Sequence, residues 1–113
     1  MIRRGDVVVA DLSPVIGHEQ GGRRPVLVLS PAAYNAWPIG MAIVAPITSV
    51  DRRLHHHVPI GKEAGLRNAS FVMPEYVRAL SQQRLAERIL GSATLETVDR
   101  VEWWVSNFTT DPR

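Results

Sequence analysis

Apolar residues along this chain come in short unbroken runs as far as Leu80 and take up a helical spacing only near the C-terminus. Val7-Val8-Val9-Ala10 and Val26-Leu27-Val28-Leu29 are rich in β-branched residues and bounded by Gly, Pro and polar positions, which predicts buried strands. Met41 to Ile47 is a third such run. Val58-Pro59-Ile60 and Ser70-Phe71-Val72-Met73 predict two more short strands, and Val77-Arg78-Ala79-Leu80 another with alternating character. Between the first two strands, Leu12 to Arg24 forms a long loop carrying Pro14, Gly17, Gly21 and Gly22, and a loop of that length in so short a chain is usually functional. Leu95, Val98, Val101, Val105 and Phe108 recur at three- and four-residue steps behind two candidate caps, Ser92 and Thr94, which predicts an amphipathic helix over one face of the sheet. Strands first and a helix last make an α+β protein, a small, partly closed antiparallel barrel with a C-terminal helix.

The 113 residues suit one compact domain, 1–113, and are too few for two independent cores. With 45% hydrophobic and 21% charged residues the composition is that of an ordinary soluble globular protein. Cysteine is absent, which excludes disulfides, thiolate metal sites and thiol nucleophiles and fits the cytoplasm. The N-terminus lacks the long apolar stretch of a signal peptide, and Met41 to Ile47 is too short to span a bilayer, so no membrane association is expected. The net charge is only +2, yet all cations except Lys62 are arginines. The planar guanidinium fork matches phosphate oxygens, and a GC-rich gene would produce the same bias.

The stretch Gly17-His18-Glu19-Gln20-Gly21-Gly22-Arg23-Arg24-Pro25 carries the most chemistry. Its glycines let the backbone turn sharply beside a ligand and its two arginines offer charge-assisted donors, although a solvated hairpin would use the same residues. In context the stretch resembles the MazF/PemK toxin family. Asp11-Leu12-Ser13-Pro14, Gly17 to Gly22 and Arg24-Pro25 are similar to that family's N-terminal signature, Pro46-Ile47-Thr48-Ser49 to its second block, and Glu75 to Leu80 followed by Arg84-Leu85 to its third. The blocks keep the family's order and spacing across nearly the whole chain.

The resemblance implies an SH3-like antiparallel barrel of the MazF/Kid/CcdB type and a homodimer. It implies metal-independent cleavage of single-stranded RNA in a groove between subunits, and an antitoxin from the same operon that blocks that groove. Operator DNA would be a partner only of the complex with antitoxin. No cofactor is implied. Arg24 matches the family's catalytic arginine and Thr48 the threonine that supports the transition state, both expected on the groove surface. Gln20, Arg23, Ser49, Glu75, Tyr76 and Arg78 fall in the matching blocks as RNA-binding candidates. Three positions depart from the family pattern. The PemK-like branch has an arginine where this chain has Met73 and commonly an aspartate at Glu75, and Tyr76 replaces the usual glutamine, so sequence preference does not transfer.

Attack of a 2′-hydroxyl on its neighbouring phosphate needs a proton acceptor, stabilisation of phosphorane-like charge and a proton donor for the leaving oxygen. Arginine stays protonated at ordinary pH, so Arg24 suits the stabiliser or the donor rather than the base. His18 is one candidate base because an imidazole titrates near pH ~6.5. Glu19 is the other, or else the carboxylate that orients or pairs with Arg24.

His55-His56-His57 raises the question of a metal, but in a strand only His55 and His57 would share a face, and a polar edge strand or phosphate-facing patch is the simpler reading. Trp103 and Trp104 are about 100° apart on a helix, so one can enter the core while the other faces outward. The same fold also serves toxins that bind a topoisomerase and cut nothing, which is the main alternative; Arg24 and Thr48 together favour the nuclease. A net charge of +2 spread over both signs gives no basic stripe for a DNA-binding repressor.

Overall fold

The computed structural model of the protein describes residues 1–111. Strands β1 (Asp6–Asp11), β2 (Arg23–Val28), β3 (Met41–Thr48), β4 (Val58–Ile60), β5 (Ser70–Val72), β6 (Arg78–Ser81) and β7 (Leu85–Ser92) form one antiparallel sheet, joined by a short helix α1 (Ala32–Asn35) and followed by α2 (Leu95–Thr109). The order is β4-β5-β3-β2-β1-β7, with β6 also paired to β3.

The apolar runs are continuous because the central strands are buried on both faces. Val7, Leu27, Ala45 and Ile47 belong to one core cluster, while Val8, Val26, Val28 and Val44 belong to a second. Val98 and Val101 of α2 complete the first cluster, with Trp104 and Val105 packed against it. The helix starts where expected: the Thr94 hydroxyl accepts from the Thr97 N–H at 3.2 Å. Ser92 instead ends β7 and donates to Asp6 at 3.1 Å.

The sequence pattern did not reveal β7 or α1. β7 pairs only with β1, through two register shifts that bend it. Bulges of this kind erase the two-residue alternation by which a strand is recognised. The barrel is not closed by a ladder, since β4 and β7 remain its edges. The chain after β4 nevertheless reaches β7: the turn at Gly65 (φ 84°) lies against Gly91 so closely that a Cβ on either would collide with the other segment's backbone.

Candidate active site

β2 and β3 place the two residues of greatest interest. Their ladder ends at the rung Val26↔Pro46, and two residues further along each strand stand Arg24 and Thr48. Both line a cleft of about 640 Å³ at the end of the barrel, together with Arg23, Ser49, Arg52, Arg67 and Arg88. Among the described residues no Asp or Glu contributes to its walls.

Arg24 is half-buried, and its Nε donates to the Gly21 carbonyl at 3.2 Å, which ties the guanidinium to the end of the long loop. Burial and then repulsion from Arg52 pull its pKa below the usual arginine value. Its expected pairing with Glu19 is not formed: among the described residues no carboxylate is within ion-pair distance of Arg24. Thr48 is 6% exposed, so it lies less on the surface than expected. Its hydroxyl oxygen accepts from the Val50 N–H at 3.1 Å, which turns the chain after β3 and leaves the hydroxyl proton free to donate into the cleft.

The loop is anchored at its base. Leu12 N–H donates to Gly22 at 3.0 Å, Gly22 N–H donates to the Ser13 hydroxyl at 3.3 Å, and Arg84 donates to the carbonyls of Asp11 and Ser13. Arg84, part of the third sequence block, is therefore a strut for the loop. The Glu19 carboxylate accepts from the Ile16 N–H at 3.0 Å and so stabilises the loop's own turn. His18 is exposed and lines neither this cleft nor the next.

Glu19 and Gln20 line a second cleft, of about 370 Å³, with Pro46, Glu75, Tyr76, Val77 and Arg78. The candidate residues thus divide between two concavities, with consecutive Pro46 and Ile47 of β3 lining the second and the first. Tyr76 and Arg78 are half-buried there, an aromatic face and a cation beside two carboxylates and an amide.

The histidine triplet lies in a turn, not in a strand, and the residues that meet are His56 and His57. Glu75 Oε2 is 2.7 Å from the buried His57 Nε2 and 3.2 Å from His56 Nε2. A carboxylate only accepts, so His57 donates from Nε2, while its buried Nδ1 has no hydrogen-bond partner. Burial pushes the Glu75 pKa up, but hydrogen bonds from His57, the backbone and His56, and the charge of His57, leave it lower than usual. His56 also stands edge-on to Phe108, ring centroids 5.5 Å apart, so the group links this turn to α2. Among the described residues His56, His57 and Glu75 are the one cluster of potential metal ligands, their donor atoms within 4.8 Å of one another. The sequence pointed at the triplet but not at its acidic partner, which comes from a distant block.

Known proteins share this fold. The sequence profile of the PemK-like, MazF-like toxin of type II toxin–antitoxin systems matches residues 3–108. The endoribonuclease EndoA of Bacillus subtilis (strain 168) is 41% identical over 104 residues, which span 88% of this chain and 89% of that protein. A crystal structure of MazF from Deinococcus radiodurans (form I) superposes with a TM-score of 0.84 at 32% identity, covering 95% of this chain and 94% of the other. A MazE–MazF complex from the same organism (form II) superposes with a TM-score of 0.76 at 31% identity, again covering 95% and 94%. The cleft with Arg24 and Thr48 thus lies in a barrel that is shared nearly end to end with these proteins, and the chain belongs to the PemK-like, MazF-like toxin family of type II toxin–antitoxin systems.

Proposed function

We propose that the protein is an endoribonuclease toxin that cuts single-stranded RNA by attack of a ribose 2′-hydroxyl on the adjacent phosphate, leaving a 2′,3′-cyclic phosphate and a 5′-hydroxyl. The observation that carries this reading is the convergence of Arg24 and Thr48 on one cleft free of carboxylates, in a chain 41% identical to a protein named an endoribonuclease. A phosphate there meets guanidinium and hydroxyl donors, and among the described residues no fixed negative charge opposes the one that develops on the phosphorane.

Arg24 stabilises that charge and is the candidate acid for the leaving 5′-oxygen; a lowered pKa favours donation while leaving the group charged at neutral pH. Thr48 donates its hydroxyl proton to a non-bridging oxygen. The base is His18 or Glu19, both on the loop whose end is tied to Arg24 through Gly21. An attacking group built into the substrate needs no activated water, so the reaction is metal-independent. Gln20, Glu75, Tyr76 and Arg78 offer hydrogen-bonding and stacking chemistry suited to bases in the second cleft, and Arg23 and Ser49 contact the strand in the first.

The working form is a cytoplasmic homodimer, held inactive by an antitoxin that covers the RNA site, as the MazE–MazF neighbour suggests. Operator DNA is bound only by the complex with antitoxin. A non-catalytic, topoisomerase-binding role is not favoured beside a relative named an endoribonuclease. The test is incubation of purified protein with mixed RNA in EDTA, followed by mapping of the ends: short recurrent cut sites support the proposal, and intact RNA opposes it.

A further inference from the structure

The first cleft gathers more positive charge than one phosphate requires. Arg23 and Arg24 come from β2, Arg52 from the turn after β3, Arg67 from the loop before β5 and Arg88 from β7, so four separate segments direct arginines at one concavity. Among the described residues no carboxylate lines it, and only Arg4 pairs an arginine with an acid. Arg23, Arg52, Arg67 and Arg88 are exposed, without the salt bridges that solvated surface arginines often form. Like charges brought together without counter-charges repel, and the cluster is stabilised only when anions occupy it. One phosphate is satisfied by one or two guanidinium forks.

We propose that Arg52, Arg67 and Arg88 bind phosphates flanking the scissile one, so that the cleft is a track for at least three consecutive phosphates of single-stranded RNA. The inference rests on the endoribonuclease reading and extends it: backbone charge is held on the Arg24 side of β3, leaving the mixed chemistry around Tyr76 for the bases. Contacts of this kind fix register without reading sequence.

The test uses an oligonucleotide with a single deoxyribose 5′ of the mapped cut, which binds without being cleaved, and measures affinity at several salt concentrations. For single strands the slope of log K against log salt falls by about 0.7 for each phosphate contact removed. Arg67→Gln and Arg88→Gln should each lower the slope by about that amount and the double variant by about twice it. The loss of cleavage should fall on KM more than on kcat. Arg67→Lys, which keeps the charge, should restore the slope. Arg100→Gln, an exposed α2 arginine outside the cleft, controls for net charge and should leave the slope as in the wild type. Cleavage with slopes unchanged in Arg67→Gln and Arg88→Gln, or equally reduced in Arg100→Gln, overturns the track but not the nuclease. A wild-type protein that neither binds nor cuts RNA overturns the nuclease itself.

Discussion

Arg24 and Thr48 each stand two residues past the last rung of the β2–β3 ladder, Val26↔Pro46, and both line the same cleft. Both are carried on strands rather than on the long loop, which gives the positional precision a transition state needs. Arg24→Ala should lower cleavage by about 10²–10³-fold, the range for loss of one transition-state donor, and expression of this variant should not arrest growth as the wild type does. Its half-buried side chain makes one backbone hydrogen bond, so the thermal midpoint should move little.

Thr48→Ala should behave differently. It removes the acceptor for Val50 N–H as well as the donor to phosphate, so it should lose activity and also about 1 kcal/mol of stability. Thr48→Ser keeps the hydroxyl and should retain most of both. A Thr48→Ser variant as inactive as Thr48→Ala would remove the hydroxyl from the mechanism.

The pH dependence of cleavage separates the two candidate bases. With His18 as base, His18→Ala removes the acid-side limb of the pH–rate profile. With Glu19 as base that limb survives the histidine substitution. Glu19→Gln would then abolish it.

The His57–Glu75 contact should contribute to folding, not only to RNA binding. His57→Ala removes a buried ring and its bond to Glu75 and should cost about 2–3 kcal/mol in denaturant unfolding. The folded-state pKa of Glu75 is lowered, so its contribution is complete above the ordinary glutamate value of about 4.3 and is lost as pH falls through the depressed one. The stability advantage of the wild type over Glu75→Gln should therefore shrink on acidification in that range. An advantage independent of pH would contradict the assignment.

How much of this was legible in the sequence depended on the physical signal each element leaves. The six earlier strands were readable because runs such as Val26 to Leu29 are apolar on both faces, and α2 because Val98 and Val101 keep helical spacing into the core. The apolar stripe overstated the buried face, since Leu95 is 78% exposed and Phe108 48% exposed. Of the two tryptophans, for which the sequence left open both a division and a shared core position, Trp103 is 58% exposed and Trp104 packs against the core. β7 stayed hidden because its register shifts and its edge position impose no alternation. Arg24 and Thr48 were found through the resemblance, but Arg67 and Arg88 belong to no motif, and only the tertiary fold brings them to the same cleft.

Those exposed side chains bear on assembly. Leu95, Trp103 and Phe108 leave apolar surface on α2, in keeping with a homodimer to which the helix contributes. Sedimentation at micromolar concentration should show a dimer, and Trp103→Ser should weaken it without lowering monomer stability by more than about 0.5 kcal/mol. A wild-type chain that remains monomeric would count against the dimeric groove.

The central claim is that the substrate's own 2′-hydroxyl is the nucleophile. Two oligonucleotides that differ only in one deoxyribose immediately 5′ of the scissile phosphate should be compared in EDTA. The all-ribose strand should be cut to a 2′,3′-cyclic phosphate and a 5′-hydroxyl, and the deoxy-substituted strand should remain intact. Equal cleavage of the two, or loss of all cleavage in EDTA with recovery on adding a divalent cation, would contradict the mechanism.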